Sequence, residues 1–154
     1  MVQNSKLNLG ELGEELVACW LQGQGWEILY RRWRCRWGEL DLIAHQSKEP
    51  CLIFVEVKTR RQRNWDADGL LAITPHKQAK IRQTAELFLA DRPDLAILPC
   101  RFDVALVRSE GISSHSRQNY IDLDSFPLDR QFQLGQAVLM QGHQLILQDY
   151  LKGV

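Results

Sequence analysis

Long apolar runs are missing from this sequence, and none approaches the roughly 20 residues that a membrane-spanning helix needs. Residues 1–9 also lack the apolar segment of a secretory signal, so we expect a cytoplasmic protein without membrane attachment. Cysteine is scarce, and the four cysteines form no Cys-x-x-Cys pair. Together with four scattered histidines, this spacing argues against a zinc module and favours reduced thiols.

Net charge is absent too, since 19 basic residues balance 19 acidic ones. A protein whose main task is to coat nucleic acid usually carries a basic excess, so the total charge does not indicate that class. The distribution is uneven, because residues 31–63 hold nine basic against four acidic residues, a net charge of +5. A solvated charged surface and a track for phosphate groups both explain this stretch.

The length and composition indicate an ordered globular protein. With 154 residues, of which 45% are hydrophobic and 25% charged, the chain can bury one core. We predict a single domain over residues 1–154, with a core at 10–108 and an irregular C-terminal appendage at 109–154 that has room for one helix.

Two segments have the pattern of amphipathic helices. Residues 10–24 place apolar side chains at i, i+4, i+7 and i+8, and Gly23 and Gly25 close the pattern. The second helix begins with Thr74 as N-cap and Pro75 in the first turn, and it ends near residue 91.

Four further segments have the composition of strands. They span residues 26–34, 39–45, 51–59 and 101–107. The polar residues 46–50 predict a turn between the second and third strands, which would therefore be antiparallel. The order helix, three strands, helix, strand predicts an α/β fold with a mixed sheet flanked by helices.

Two charged residues interrupt the apolar run of the third predicted strand. Glu56 and Lys58 lie two positions apart, so their side chains point to the same face of the strand and can serve one site. A carboxylate in such a strand is costly unless it is paired or bound to a metal. A strand that simply emerges into solvent after Val55 explains both residues equally well.

The second predicted strand repeats the anomaly at Asp41, which lies among Leu40, Leu42 and Ile43. If the turn at 46–50 pairs the two strands, Asp41 and Glu56 lie at the same end of the sheet, close enough for their oxygens to share one divalent cation. Without a cation, one of two adjacent carboxyls would keep its proton. An ion pair between Asp41 and one of the nearby arginines is the alternative.

The order of three motifs resembles one family. Gly13-Glu14, the run from Gly38 to Ala44 and the run from Phe54 to Arg60 occur as in the YraN-like bacterial family. That family is similar to the PD-(D/E)xK, restriction-endonuclease-like superfamily and, within it, to archaeal Holliday junction resolvases. The resemblance covers residues 10–107 and includes Thr74-Pro75 of the second helix.

The resemblance implies roles for individual residues. Asp41 and Glu56 would hold Mg²⁺ (or Mn²⁺), Glu14 would be an accessory acidic ligand, and Lys58 would lie beside the attacking water. Contacts with nucleic acid are expected from basic residues, namely Arg31, Arg34, Arg36, Arg60, Arg61, Arg63 and Lys77. The alternation of arginine and tryptophan from Arg31 to Trp37 fits a surface that grips phosphates and stacks bases. It fits equally a strand whose tryptophans face the core.

These expectations combine into a Mg²⁺-dependent endonuclease that hydrolyses DNA, in branched or otherwise structured form, with a homodimer as a secondary expectation. RNA is left open as the substrate. The rival hypothesis is a non-catalytic nucleic-acid-binding or adaptor protein on the same fold. Zero net charge favours the rival, whereas the set Asp41, Glu56 and Lys58 favours the enzyme.

Overall fold

The computed structural model of the protein describes residues 6–61, 73–111, 120–124 and 131–154. Three helices are present in these residues: α1 (Leu9–Gly23), α2 (Pro75–Ala90) and α3 (Pro93–Ala96). The strands are β1 (Glu27–Cys35), β2 (Gly38–Gln46), β3 (Cys51–Arg60), β4 (Cys100–Glu110), β5 (Ile121–Asp122), β6 (Ala137–Met140) and β7 (His143–Leu151).

The helix α1 begins where the side chain of Asn8 accepts a hydrogen bond from the backbone N–H of Glu11 at 2.9 Å. This bond satisfies one of the N–H groups that lack a partner at a helix start. The apolar positions Leu12 and Leu16 are fully buried against the sheet. Gly25 follows the helix with a φ of +89°, which glycine adopts without steric cost.

The helix α2 begins at the predicted cap, because Thr74 Oγ1 accepts from the backbone N–H of Lys77 at 3.2 Å and Pro75 occupies the first turn. Its apolar face packs on the sheet through Ala85 and Phe88, both 1% exposed. The start of this helix and its end near residue 91 agree with the sequence prediction.

The strands form one seven-stranded sheet in the order β1-β2-β3-β4-β7-β6-β5. β1, β2 and β3 pair antiparallel in sequence, whereas β3 and β4 pair parallel across the connection that contains α2. The sheet is therefore mixed, as predicted, and the arrangement is consistent with a nuclease-like fold.

The sheet is covered on both faces, because alternate side chains of one strand enter different clusters. Ile53 and Val55 of β3 pack with α1, whereas Leu52 and Phe54 pack with Phe88 of α2. Both sets are at most 2% exposed. This double burial explains why the strand appears as a continuous apolar run in the sequence.

The C-terminal region corrects the sequence prediction. In the described part of residues 109–154, β6 and β7 form a hairpin where an irregular appendage with a helix was predicted, and β7 pairs with β4 from Gln144 to Leu151. Gln141 and Gly142 connect the hairpin with φ values of +46° and +77°, the two-residue turn that suits the twist of paired strands. β7 lies inside the sheet and is buried on both faces at Leu145–Leu147, so it shows neither the period of a strand nor that of a helix.

None of the helices in the described part of the chain combines the length and the apolar character that crossing a membrane would require. The four cysteines are free thiols. Three of them are partly buried and Cys100 is exposed.

Candidate functional site

Two central strands separate where the acidic residues lie. β2 and β3 pair from Gln46–Cys51 to Leu42–Val55. At the next position the carboxylate of Asp41 accepts a hydrogen bond from the backbone N–H of Val57 at 2.8 Å. A side-chain oxygen thus serves as the acceptor for a backbone donor of the neighbouring strand, and this bond fixes the orientation of Asp41.

The alternation of side chains along β2 is broken at the same place. Leu42 packs on the α1 side of the sheet, whereas Leu40 and Ile43 both pack on the α2 side. In a regular strand, Leu40 and Leu42 would share a face. The irregularity at Asp41 allows its carboxyl to lie near acidic groups from both faces of the sheet.

Glu14 reaches the site because α1 approaches β3 closely. Any side-chain carbon at Gly13 would collide with the Thr59 hydroxyl, so the helix can lie this near only with glycine at that position. Glu14 is the next residue, and its side chain is 18% exposed. The Gly13-Glu14 motif therefore combines a contact that requires glycine with an acidic group directed at the sheet end.

Three carboxylates form a compact group. Glu14, Glu39 and Asp41 each offer one oxygen, and these oxygens lie within 4.8 Å of one another. Glu39 was missed as a ligand by the sequence analysis. The spacing of Glu39 and Asp41 along β2 suggested a shared face, but the contact of Glu39 with Glu14 depends on the break in alternation within this strand.

Glu56 is close to Asp41 but belongs to a second contact. Its carboxylate pairs with Lys58 Nζ at 2.8 Å, with side chains 19% and 28% exposed, respectively. Burial, followed by the negative charge of Glu56, raises the pKa of Asp41 to about 8, although the hydrogen bond from Val57 opposes the shift. A hydrogen bond with the Glu56 side chain adds to the rise in the pKa of Asp41.

Arg32 is the cation nearest to this group that the sequence analysis did not single out. It forms ion pairs with Glu14 at 2.7 Å and with Glu11 at 3.3 Å. Its backbone has a φ of +50°, which costs a non-glycine residue about 1–2 kcal/mol. It lies in β1 between the pairs Arg31–Leu42 and Trp33–Leu40, and no feature of the sequence indicates this conformation.

A cleft of about 310 Å³ opens beside Glu56 and Lys58. One wall is the end of β3 with the turn between β1 and β2, and the other is the first half of α2. Its lining residues are Trp37, Gly38, Glu39, Glu56, Lys58, Lys77, Lys80, Ile81 and Thr84. Four carboxyl groups, Lys58 and an open cleft therefore meet at one end of the sheet.

The predicted phosphate-contacting residues have different surroundings. Arg31 pairs with Glu15, and Arg34 pairs with Glu39 at 3.0 Å. The Arg36 guanidinium lies 4.9 Å from the centre of the Trp37 ring.

The remaining residues predicted to contact phosphates lie at or beyond the end of β3 or on α2. Arg60 ends β3, Arg61 is exposed beyond it, and Lys77 lines the cleft. Arg63 lies outside the described residues.

The two interpretations of the Arg31–Trp37 run apply to different tryptophans. Trp33 packs edge-on against Phe88, with ring centres 5.4 Å apart. Trp37 is 45% exposed and lines the cleft. The core interpretation therefore holds for the first tryptophan, whereas the second is free to take part in binding.

The ion-pair alternative for Asp41 does not hold within the described ranges 6–61, 73–111, 120–124 and 131–154, where no arginine pairs with it. The donors around it are all carboxylate oxygens, which suit the hard cations Mg²⁺ and Mn²⁺ rather than zinc. A carboxyl that keeps its proton to about pH 8 is a group whose negative charge needs such a partner. The residues present therefore fit the cation that the resemblance implies.

A mixed sheet flanked by helices, with this end of β2 and β3 left open, has the character of a nuclease-like α/β fold. The chain belongs to the uncharacterised protein family UPF0102, whose sequence profile matches residues 13–107. This result confirms the YraN-like resemblance found in the sequence.

The similarity to individual proteins extends beyond the family profile. A UPF0102 protein of Trichodesmium erythraeum (strain IMS101) is 48% identical over 159 residues, covering 96% of this chain and 88% of that protein. A relative from Acaryochloris marina (strain MBIC 11017) is 46% identical, with 97% and 91% covered. A third, from Synechocystis sp. (strain ATCC 27184 / PCC 6803 / Kazusa), is 46% identical, with 94% and 95% covered.

Proposed function

We propose that the protein is a Mg²⁺-dependent (or Mn²⁺-dependent) endonuclease that hydrolyses phosphodiester bonds in DNA of branched or otherwise structured form. The observation that carries the proposal is Asp41, a largely buried carboxyl that three further acidic groups surround and whose pKa is raised to about 8. Burying such a group without a function would cost stability. A divalent cation would remove that cost and would also supply catalysis.

The residues divide into two roles. Glu14, Glu39 and Asp41 would hold the cation, with Glu56 beside them. Bound Mg²⁺ would supply a water of lowered pKa and would offset charge on the phosphate. Lys58, already held at 2.8 Å from Glu56, can orient the attacking water or stabilise the negative charge that develops on the phosphate oxygens. Lys77, in the wall of the cleft, can contact a neighbouring phosphate.

A cleavage panel tests the proposal. Wild-type protein and Glu56→Ala are compared on single-stranded, duplex, flapped and four-way DNA with Mg²⁺ or Mn²⁺. Glu56→Ala should cut at least about 100-fold more slowly, because it removes the carboxylate that positions Lys58, whose ammonium group can offset the charge on the phosphate. Glu49→Ala, an exposed glutamate in the turn at the far end of β2 and β3, is the matched control and should cut normally.

The second candidate is a nucleic-acid-binding or adaptor protein on the same fold. The observation that favours its adaptor form is the ion pairing of Arg31 and Arg34, which leaves less cationic charge to hold a DNA substrate. Metal-independent DNA binding by wild type, without cleavage of any substrate in the panel, would establish this candidate instead.

A homodimer is part of the proposal, since an enzyme that cuts two symmetric strands needs two sites at a fixed separation. Light scattering at micromolar concentration, with and without DNA, measures the mass directly. A monomer in both conditions would favour an enzyme that cuts one strand.

A further inference from the structure

Trp37 differs from the other tryptophans that the structure describes. Trp20 is 8% exposed, Trp26 packs against the α1-side core, and Trp33 packs on Phe88. Trp37 is 45% exposed in the two-residue turn between β1 and β2. Trp37 is therefore the most exposed of the four tryptophans that the structure describes.

The ring belongs to the cleft that contains Glu56 and Lys58. The cleft is narrow on the turn side, because a side-chain carbon at Gly38 would lie 2.9 Å from Thr84 Oγ1 of α2. Its volume of about 310 Å³ is at the lower end of the roughly 300–1,000 Å³ of small-ligand clefts. The space suits a planar group the size of a nucleobase rather than a whole duplex.

The charges of the cleft suit a phosphate chain. Lys77 and Lys80 lie one helical turn apart on the same wall. Among the residues that the structure describes, neither lysine has an acidic partner at ion-pair distance. Two ammonium groups on one side and an aromatic ring on the other form the combination that binds single-stranded nucleic acid.

One face of the Trp37 ring already has a neighbour, since the Arg36 guanidinium lies 4.9 Å from the ring centre. This contact covers one face of the ring, so a base would stack on the opposite face. In a duplex, both faces of a base are stacked on neighbouring bases and one edge is paired. Only an unpaired or extruded base can therefore reach the Trp37 ring.

We propose that Trp37, with Lys77 and Lys80, holds an unpaired nucleotide beside the carboxylate site, so that the substrate class is DNA with a single-stranded segment. This inference rests on the proposed function and narrows its substrate. It predicts that flapped and single-stranded DNA bind better than a fully paired duplex or four-way junction.

The test is binding without metal, so that it does not depend on cleavage. Fluorescence anisotropy in chelator compares a labelled single-stranded oligonucleotide with the same sequence as a duplex. Trp37→Ala should weaken single-strand binding by roughly 5- to 100-fold. This range corresponds to the loss of about 1–3 kcal/mol of base stacking, at about 1.4 kcal/mol for each tenfold change in affinity. Duplex binding should change less than twofold, and Trp37→Phe should keep most of the single-strand affinity.

Tyr120→Ala is the matched control, because Tyr120 is also 45% exposed and lies next to β5 at the opposite edge of the sheet. It should leave both affinities unchanged. An equal loss on single strand and duplex, or no loss with Trp37→Ala, would overturn the inference. Failure of the proposed function has a different signature, since it would leave wild type without cleavage or metal binding whatever the Trp37 variants do in chelator.

Discussion

The two ends of the β2–β3 pair differ in what occupies them. At the end near Gln46 and Cys51 the strands are fully paired, and the side chains that follow, Leu52 and Phe54, are at most 1% exposed. At the other end the pairing stops, and Asp41 binds the backbone of β3 through its carboxylate. One pair of strands thus has a closed end that stabilises the fold and an open end with the reactive groups.

The largest expected effect tests the closed end. Phe54→Ala should lower the free energy of unfolding by about 3–5 kcal/mol, because the ring is 1% exposed and contacts Phe88 and Phe102. Urea denaturation measures the loss. Ile97→Ala, at a side chain that is 84% exposed, is the control and should change stability by no more than about 0.5 kcal/mol. A loss below about 1 kcal/mol with Phe54→Ala would contradict the conclusion that the closed end of the β2–β3 pair stabilises the fold.

The second prediction concerns the open end. A cation held there binds only the folded chain, so at about 100 times its dissociation constant it should add roughly 2.7 kcal/mol of stability. For a chain of this length the melting temperature should rise by about 5–10 °C with Mn²⁺ or Mg²⁺. Asp41→Asn should remove most of that rise, and the metal-free variant should be as stable as wild type or slightly more stable.

Scanning calorimetry of both proteins, first in chelator and then with metal, separates the outcomes. No effect of metal on wild type would count against the site. If Asp41→Asn unfolds without metal, Asp41 is a structural residue. Both ends of the β2–β3 pair would then stabilise the fold, and the difference between them would disappear.

The third prediction follows from the raised pKa of Asp41. A carboxyl whose folded-state pKa is about 8 stabilises the metal-free fold below the unfolded value of about 4, and this contribution is lost as the pH rises through 8. Metal must displace the same proton. The dissociation constant for Mn²⁺ should therefore fall about tenfold per pH unit up to about 8 and then level off.

Calorimetric titration of Mn²⁺ between pH 6 and 9 checks this prediction. Asp41→Asn should bind weakly, with little change below pH 8. A flat profile for wild type would mean that Asp41 is already ionised at neutral pH.

The smallest expected effect concerns residues just beyond the open end. If Arg60, Arg61 and Arg63 bind phosphates, their replacement by alanine should flatten the dependence of log affinity on log salt by roughly 0.9 for each phosphate that is no longer neutralised. Anisotropy over a salt series measures the slope, with Lys48→Ala, in the exposed turn of the closed end, as the control. An unchanged slope would place the phosphate-binding residues elsewhere.

Local signals were strong enough to predict most elements of the fold. The Thr74 cap with Pro75 identified the start of α2, and the polar turn at 46–50 identified the β2–β3 hairpin. β7 was not predicted, because a short apolar run buried on both faces has no periodicity and because its partner β4 is distant in sequence.

The site was predictable only in part. Asp41 and Glu56 stood out because each interrupts an apolar run. Glu39 did not, since its approach to Glu14 depends on the break in alternation within β2, a tertiary feature. Arg32 was not predicted either, because its backbone conformation also depends on tertiary structure and not on the preference of the residue itself.

The position of β7 has a consequence for the order in which the protein is made. β4 is synthesised some 40 residues before β7, which becomes its neighbour in the sheet, and the Tyr150 hydroxyl completes the contacts of the buried Asp103 by donating a hydrogen bond at 2.7 Å. Until then the nascent chain carries a sheet edge with unpaired backbone groups, the kind of edge on which chains aggregate. A translation product that stops where the family profile ends, at residue 107, would keep that edge for good. The C-terminal strand is therefore needed to cover the edge of β4.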